Sequence, residues 1–114
     1  MSVHTKDGCA FAVISPAGFH ILSAIDQIAV WDQLEVTITS GTDGTHGTTA
    51  TPGASDPHYR GEAYDIRTHD LPDKQAFLVK LKQTLGPRFV AFIEYLGQPA
   101  EHIHVQLRNG EQFA

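Results

Sequence analysis

Residues 102–107 read His-Ile-His-Val-Gln-Leu, in which polar and aliphatic residues alternate. Successive side chains of a β-strand point to opposite faces of a sheet. A strand here places His102, His104 and Gln106 on one face and the aliphatic residues that alternate with them on the other. The sequence therefore predicts a sheet with one face packed on a core and one face available for polar chemistry.

Three further segments are rich in β-branched and aromatic residues and are predicted to be strands: 35–39, 62–67 and 89–95. In the second of them, Asp65 takes the face opposite to Tyr64 and Ile66. The segment 89–95 is apolar on both faces, which is typical of a central strand.

Two segments have the spacing of amphipathic helices. Ser15 and Pro16 supply the N-cap and first residue of a helix that extends to about Leu34. A second helix is predicted from Leu71 to Leu85, with Asp70 as its cap. The order of helices and strands predicts an α+β fold, a small, mostly antiparallel sheet with helices packed on it.

The composition fits a single domain over residues 1–114. The net charge is -5, which disfavours nucleic acid and anionic membranes as partners, since both repel an acidic surface. The longest apolar run, residues 9–14, is too short to span a membrane or to serve in a signal peptide, so synthesis in the cytoplasm is expected. The single cysteine, Cys9, excludes an internal disulfide.

The segment from Thr39 to Pro57 is rich in Thr and Gly and is predicted to be a loop that faces the substrate. Within it, His46 and Asp43 are candidates for positioning substrate, although Asp-Gly is also typical of a turn. The loop contains no Arg or Lys.

Two clusters have the residues of a metal site: His-Tyr-Arg-Gly-Glu-Ala-Tyr-Asp at 58–65 and Glu-His-Ile-His at 101–104. Gly61 allows the chain to bend, so that His58 and Asp65 approach one ion. Catalytic zinc takes three nitrogen or oxygen ligands and keeps a fourth position for water. A carboxylate beside the metal is suited to accept the proton of that water.

The pattern His-x-x-Gly-x-Ala-x-Asp followed by Glu-x-x-His resembles the zinc D-Ala-D-Ala carboxypeptidase family, which includes phage L-alanyl-D-glutamate endolysins and the hedgehog signalling domain. The resemblance implies one zinc ion bound by His58, Asp65 and His104. It also implies that Glu101 is the general base and that His102 is an auxiliary catalytic residue.

For function, the resemblance implies a zinc peptidase of hedgehog-like fold that cleaves peptidoglycan stem peptides, as a carboxypeptidase or an endopeptidase. A phage origin would allow release to the cell wall at lysis. Many family members carry an Arg shortly after the Ser-Gly of the loop, whereas Thr42 follows Gly41 here. Arg67 and Arg60 are the candidates to replace it. Because the loop has no Arg or Lys to hold a terminal carboxylate, cleavage of an internal bond is favoured.

Three alternatives remain open from the sequence. Glu94, at the end of a predicted strand, competes with Glu101 for the role of base, although a structural role is expected for it. His102 is suited equally to auxiliary catalysis and to packing beside the metal. The alternative function is a non-catalytic, zinc-containing binding or virion structural module of the same fold.

Overall fold

The protein is described by a computed structural model over residues 2–43, 56–58 and 60–113. Its elements, in chain order, are β1 (Ser2–Thr5), α1 (Pro16–Trp31), β2 (Glu35–Ser40), β3 (Ala63–Arg67), α2 (Lys74–Leu85), β4 (Phe89–Glu94) and β5 (His102–Leu107). The strands form one sheet in the order β1-β2-β3-β5-β4. β1 runs parallel to β2, and the other neighbours are antiparallel. The predicted α+β class is confirmed, with a mixed sheet.

Both helices contact one another, and the aliphatic side chains of the sheet pack with them into a single core. The predicted alternation along β5 is confirmed, since Ile103 and Val105 are fully buried in this core. Tyr64 and Ile66 of β3 lie in the same core, so Asp65 between them faces the other side of the sheet. Burial of these apolar side chains thereby fixes which face carries the polar residues.

The first helix begins as predicted, because the Ser15 side chain accepts a hydrogen bond from the Gly18 backbone N–H at 3.1 Å. The predicted start of the second helix is wrong. α2 begins at Lys74, and the Asp73 carboxylate caps it by accepting from the Ala76 N–H at 3.0 Å. Pro72 disfavours a helical conformation at the residue before it, so the helix starts after Pro72.

The predicted central position of residues 89–95 is also wrong, because β4 lies at the edge of the sheet and pairs with β5. On its outward face, Phe92 packs against the His104 ring, with 5.2 Å between ring centroids, which accounts for an apolar residue at that position. The sequence analysis missed β1, which is short and has the mixed composition Ser-Val-His-Thr. Among the described residues, neither helix has the length and apolarity needed to cross a membrane.

Most of the predicted substrate-facing loop, including His46, lies outside the described residues. Asp43, at its start, has a structural contact: one carboxylate oxygen accepts hydrogen bonds from the Gly41 N–H at 2.8 Å and the Ala10 N–H at 2.9 Å. This arrangement closes a turn directly after β2.

Candidate metal centre

Neighbouring strands bring the predicted ligands Asp65 and His104 together. The two residues are direct partners in the antiparallel register of β3 and β5. Both lie on the sheet face that the helices leave uncovered, and both are buried. The pairing of residues far apart in the sequence therefore creates half of the site.

His58 enters from the turn that precedes β3. Its backbone N–H donates to the Asp56 carboxylate at 2.9 Å, and its carbonyl accepts from the Gly61 N–H at 3.1 Å. Gly61 has a φ of 70° and thus a left-handed conformation that favours glycine. The tight turn directs the buried His58 ring towards Asp65, as the sequence predicted.

The three predicted ligands have the spacing of a metal site. His58 Nε2 lies 3.3 Å from Asp65 Oδ1, and His104 Nδ1 lies 3.1 Å from the same oxygen. Two ligands at 2.0–2.1 Å from one tetrahedral zinc ion are roughly 3.3–3.5 Å apart. These side chains therefore have both the chemistry and the spacing to hold one ion.

In both His58 and His104, the ring nitrogen that does not face Asp65 makes a hydrogen bond. His58 Nδ1 donates to the Gly41 carbonyl at 2.9 Å, and His104 Nε2 donates to the Gln106 side-chain oxygen at 2.7 Å. The neutral tautomers then present a lone pair at the nitrogens that face Asp65. Such second contacts orient metal-binding histidines.

Lone pairs and a carboxylate oxygen that face one another at about 3 Å are repulsive unless a cation lies between them. A proton or a metal ion satisfies this requirement. Burial alone raises the pKa of Asp65, but hydrogen bonds with His104 and His58 hold that pKa well below its ordinary value. Burial lowers the pKa of His104, and its hydrogen bonds to Asp65 and Gln106 raise it above the ordinary value. The site thus attracts positive charge.

His102 also belongs to this cluster. Its Nε2 lies 3.6 Å from Asp65 Oδ1 and 2.8 Å from Glu94 Oε1, while its Nδ1 donates to the Ala100 carbonyl at 2.9 Å. Glu94 is its direct partner across the β4–β5 pair. Asp65, Glu94 and His102 form a second group with atoms close enough to share an ion.

The structure does not bring the Glu101 carboxylate to this cluster. It accepts hydrogen bonds from Lys74 Nζ at 2.9 Å, from the Gly97 backbone N–H at 2.8 Å and from the Thr68 hydroxyl. Glu101 immediately precedes β5, and its contacts with Lys74 of α2, Gly97 and Thr68 hold the carboxylate apart from Asp65. The expectation that the chain turns Glu101 towards the metal is not met in this structure.

The contacts of Glu101 predict that the free energy of unfolding depends on pH. The Gly97 N–H, Thr68 and Lys74 lower the pKa of Glu101 from an ordinary 4.5 to about 2. The folded protein therefore favours the charged form, so the stabilisation is complete above the unfolded pKa and is lost as the pH falls towards 2. In urea unfolding, Glu101→Gln should be less stable than wild type at pH 7, and the difference should shrink as the pH falls from 5 to 2. A constant difference would contradict this role.

Gly61 gives a second prediction about stability. A Cβ at Gly61 would lie 2.2 Å from the Val13 carbonyl oxygen, while one at Gly110, with a φ of 85°, would meet no atom within 4 Å. Gly61→Ala should therefore lose more stability than Gly110→Ala, whose cost is the left-handed conformation alone, about 1–3 kcal/mol. Denaturant unfolding measures both variants. Equal losses would show that the Gly61 contact can relax freely.

The two arginines that are candidates for binding a substrate carboxylate have different surroundings. Arg67 is the residue opposite His102 in the β3–β5 register, and its guanidinium is 3.6 Å from the Asp70 carboxylate. Arg60 donates to the Glu62 carboxylate at 2.8 Å. Arg67 is thus the one that the sheet places beside the cluster.

The two motifs give no role to Gln106, although the alternation along β5 places it on the same face as His104. Glu94 is expected from the sequence to have a structural role, and its contact with His102 follows from the β4–β5 register, which depends on strand pairing. Comparisons with family models, with curated proteins and with solved structures gave no match to this chain. The family resemblance therefore rests on the two motifs.

Proposed function

We propose that this protein is a zinc-dependent peptidase that cleaves peptidoglycan stem peptides. The observation that carries the proposal is the convergence of His58, Asp65 and His104 on the open face of the sheet, with metal-binding distances. The substrate class comes from the resemblance of the two motifs to the D-Ala-D-Ala carboxypeptidase and endolysin family. A hedgehog-like fold is part of the same proposal.

His58, Asp65 and His104 would hold the ion. Three protein ligands leave a coordination position for water or substrate, which distinguishes catalytic from structural zinc sites. Zinc in such a site supplies Lewis acidity and lowers the pKa of water to about 7. Gly41 and Gln106 keep the two imidazoles in the tautomers that bind a metal.

A hydrolase also needs a group that accepts the proton of the attacking water. The resemblance implies Glu101, but the geometry favours Glu94, whose Oε1 lies 3.9 Å from His104 Nδ1. Glu94 is about one-third exposed and therefore accessible to water. Its hydrogen bond to His102 allows the imidazole to orient the carboxylate and to stabilise its charge.

The second candidate function is a non-catalytic zinc-containing module of the same fold, in a virion or as a binding domain. One observation favours it: Lys74 holds both oxygens of the carboxylate that the motif assigns as base. In that case the metal would serve stability, because a metal that binds only the native state stabilises it.

The test is incubation of the zinc-loaded protein with defined muropeptides and identification of the products by mass spectrometry. We expect cleavage of one stem-peptide bond, its loss after treatment with a chelator and its return with zinc. Zinc-loaded protein that cleaves none of the muropeptides would contradict the peptidase and support the module.

A further inference from the structure

Glu94 and His102 place a second set of metal-binding atoms beside the proposed zinc ligands. The two residues are direct partners across β4 and β5, and His102 Nε2 lies 2.8 Å from Glu94 Oε1. The same nitrogen lies 3.6 Å from Asp65 Oδ1. One imidazole and two carboxylates are ligands that zinc accepts in proteins. Asp65, Glu94 and His102, the second ligand set, therefore have the chemistry and the spacing to hold an ion of their own.

His102 has the tautomer that a metal ligand needs. Its Nδ1 donates to the Ala100 carbonyl at 2.9 Å, so the neutral ring presents a lone pair at Nε2. That lone pair faces the carboxylates of Asp65 and Glu94, and the contact is repulsive unless a cation lies between the groups. A single proton bonds one carboxylate to the ring, whereas a metal ion contacts all three groups at once. A carbonyl that orients the ring through its opposite nitrogen is usual at a metal-binding histidine.

Asp65 belongs to both ligand sets. Its Oδ1 lies 3.3 Å from His58 Nε2, 3.1 Å from His104 Nδ1 and 3.6 Å from His102 Nε2. His102 and His104 are two residues apart on one face of β5, so they approach this carboxylate from different positions along the strand. A carboxylate has lone pairs for two ions, and the paired ions of hydrolases lie about 3.5–4 Å apart. The cluster therefore has the ligands for two ions with Asp65 between them.

The second ligand set should bind its ion more weakly than the first. The side chain of His102 is 17% exposed and that of Glu94 is 36% exposed, whereas the first three ligands are buried. An ion already bound at the first set also repels a second one. Arg67, opposite His102 in the β3–β5 register, has the Asp70 carboxylate 3.6 Å from its guanidinium, so these two charges offset one another. At one equivalent of zinc, the first set alone should be filled.

We propose that Glu94 and His102 bind a second zinc ion, with Asp65 shared between the two ions, and that this second ion inhibits the protein. Glu94 is the proposed base, and a carboxylate oxygen that is bound to zinc is not available to accept a proton from water. Excess zinc should therefore stop hydrolysis. The inhibition rests on the proposed function, whereas the binding of the second ion requires no cleavage.

The test measures zinc content and activity over the same range of free zinc. Metal-free protein is dialysed against buffers of fixed free zinc concentration, and elemental analysis gives the number of ions per chain. We expect one ion per chain at low free zinc and two at higher free zinc. Hydrolysis of muropeptides should rise as the first ion binds and fall as the second one binds.

His102→Gln should raise the free zinc needed for the second ion by at least about 10-fold, because even the loss of a residue that orients a ligand costs about 10- to 100-fold in metal affinity. Glu94→Gln should have the same effect, and both variants should keep the first ion. The matched control is His4→Gln, since His4 also contacts a carboxylate, that of Glu35 at 2.6 Å, but lies outside the cluster. It should bind both ions as the wild type does.

A single ion per chain at every free zinc concentration would overturn the proposal and leave the peptidase intact if muropeptides are cleaved. A second ion bound equally well by His102→Gln and Glu94→Gln would also overturn it, as would a His4→Gln variant that loses the second ion. Hydrolysis that continues with two ions bound would overturn the inhibition. Two ions without cleavage of any muropeptide would support the second ligand set and contradict only the proposed peptidase.

Discussion

His104→Ala should remove most of the zinc from the protein and abolish hydrolysis. His104 Nδ1 faces Asp65 Oδ1 at 3.1 Å, so the substitution leaves two of the three proposed ligands. Loss of a residue that hydrogen-bonds a metal ligand lowers metal affinity by about 10- to 100-fold, and loss of the ligand itself should lower it further. Elemental analysis after dialysis against a weak chelator gives the zinc content.

The control is His4→Ala. His4 is exposed on β1, where its ring contacts Glu35 at 2.6 Å, away from the metal cluster. This variant should keep its zinc and its activity. Full zinc content in both His104→Ala and His58→Ala would contradict the assignment of the ligands.

Glu94→Gln should keep the zinc and lower kcat by about 100- to 10,000-fold, the usual contribution of general acid–base catalysis. The substitution keeps the shape of the side chain and removes its basic oxygen. Glu94 lies 2.8 Å from His102 and 3.9 Å from His104, which places its carboxylate next to the proposed ligands. Muropeptide hydrolysis at saturating substrate, together with the zinc content, tests this expectation.

Glu101→Gln is the matched comparison, because it makes the same chemical change at the carboxylate that the motif assigns as base. Because Lys74 and Thr68 hold the Glu101 carboxylate apart from the metal cluster, this variant should lose stability and retain most of its kcat. The reverse result, with Glu101→Gln inactive and Glu94→Gln active, would return the base to Glu101. It would also require that Glu101 leave Lys74 and Thr68 when substrate binds.

The faces of β3 and β5 could be read from local alternation. Along β5, Ile103 and Val105 had to enter the core, so His102 and His104 had to share the opposite face. The same argument placed Asp65 opposite Tyr64 and Ile66. Two of the predicted ligands were therefore assigned to strand faces that the structure confirms.

What depended on strand pairing could not be read from the sequence. Apolar residues on both faces of β4 favour a central strand, yet β4 lies at the edge of the sheet. Phe92 on its outward face packs against the His104 ring instead of against a further layer. The contact between Glu94 and His102 depends on the β4–β5 register. Tertiary contacts also decided the direction of Glu101, since Lys74 reaches it from α2. Local sequence contains none of this information.

An anomalous difference map, collected at the zinc absorption edge from crystals of the protein loaded with one equivalent of zinc, would locate the metal ion. The structure predicts one strong peak per chain, with His58 Nε2, Asp65 Oδ1 and His104 Nδ1 at about 2.0–2.2 Å from it. No peak at these side chains, or zinc bound elsewhere in the chain, would contradict the metal centre on which the proposed function rests.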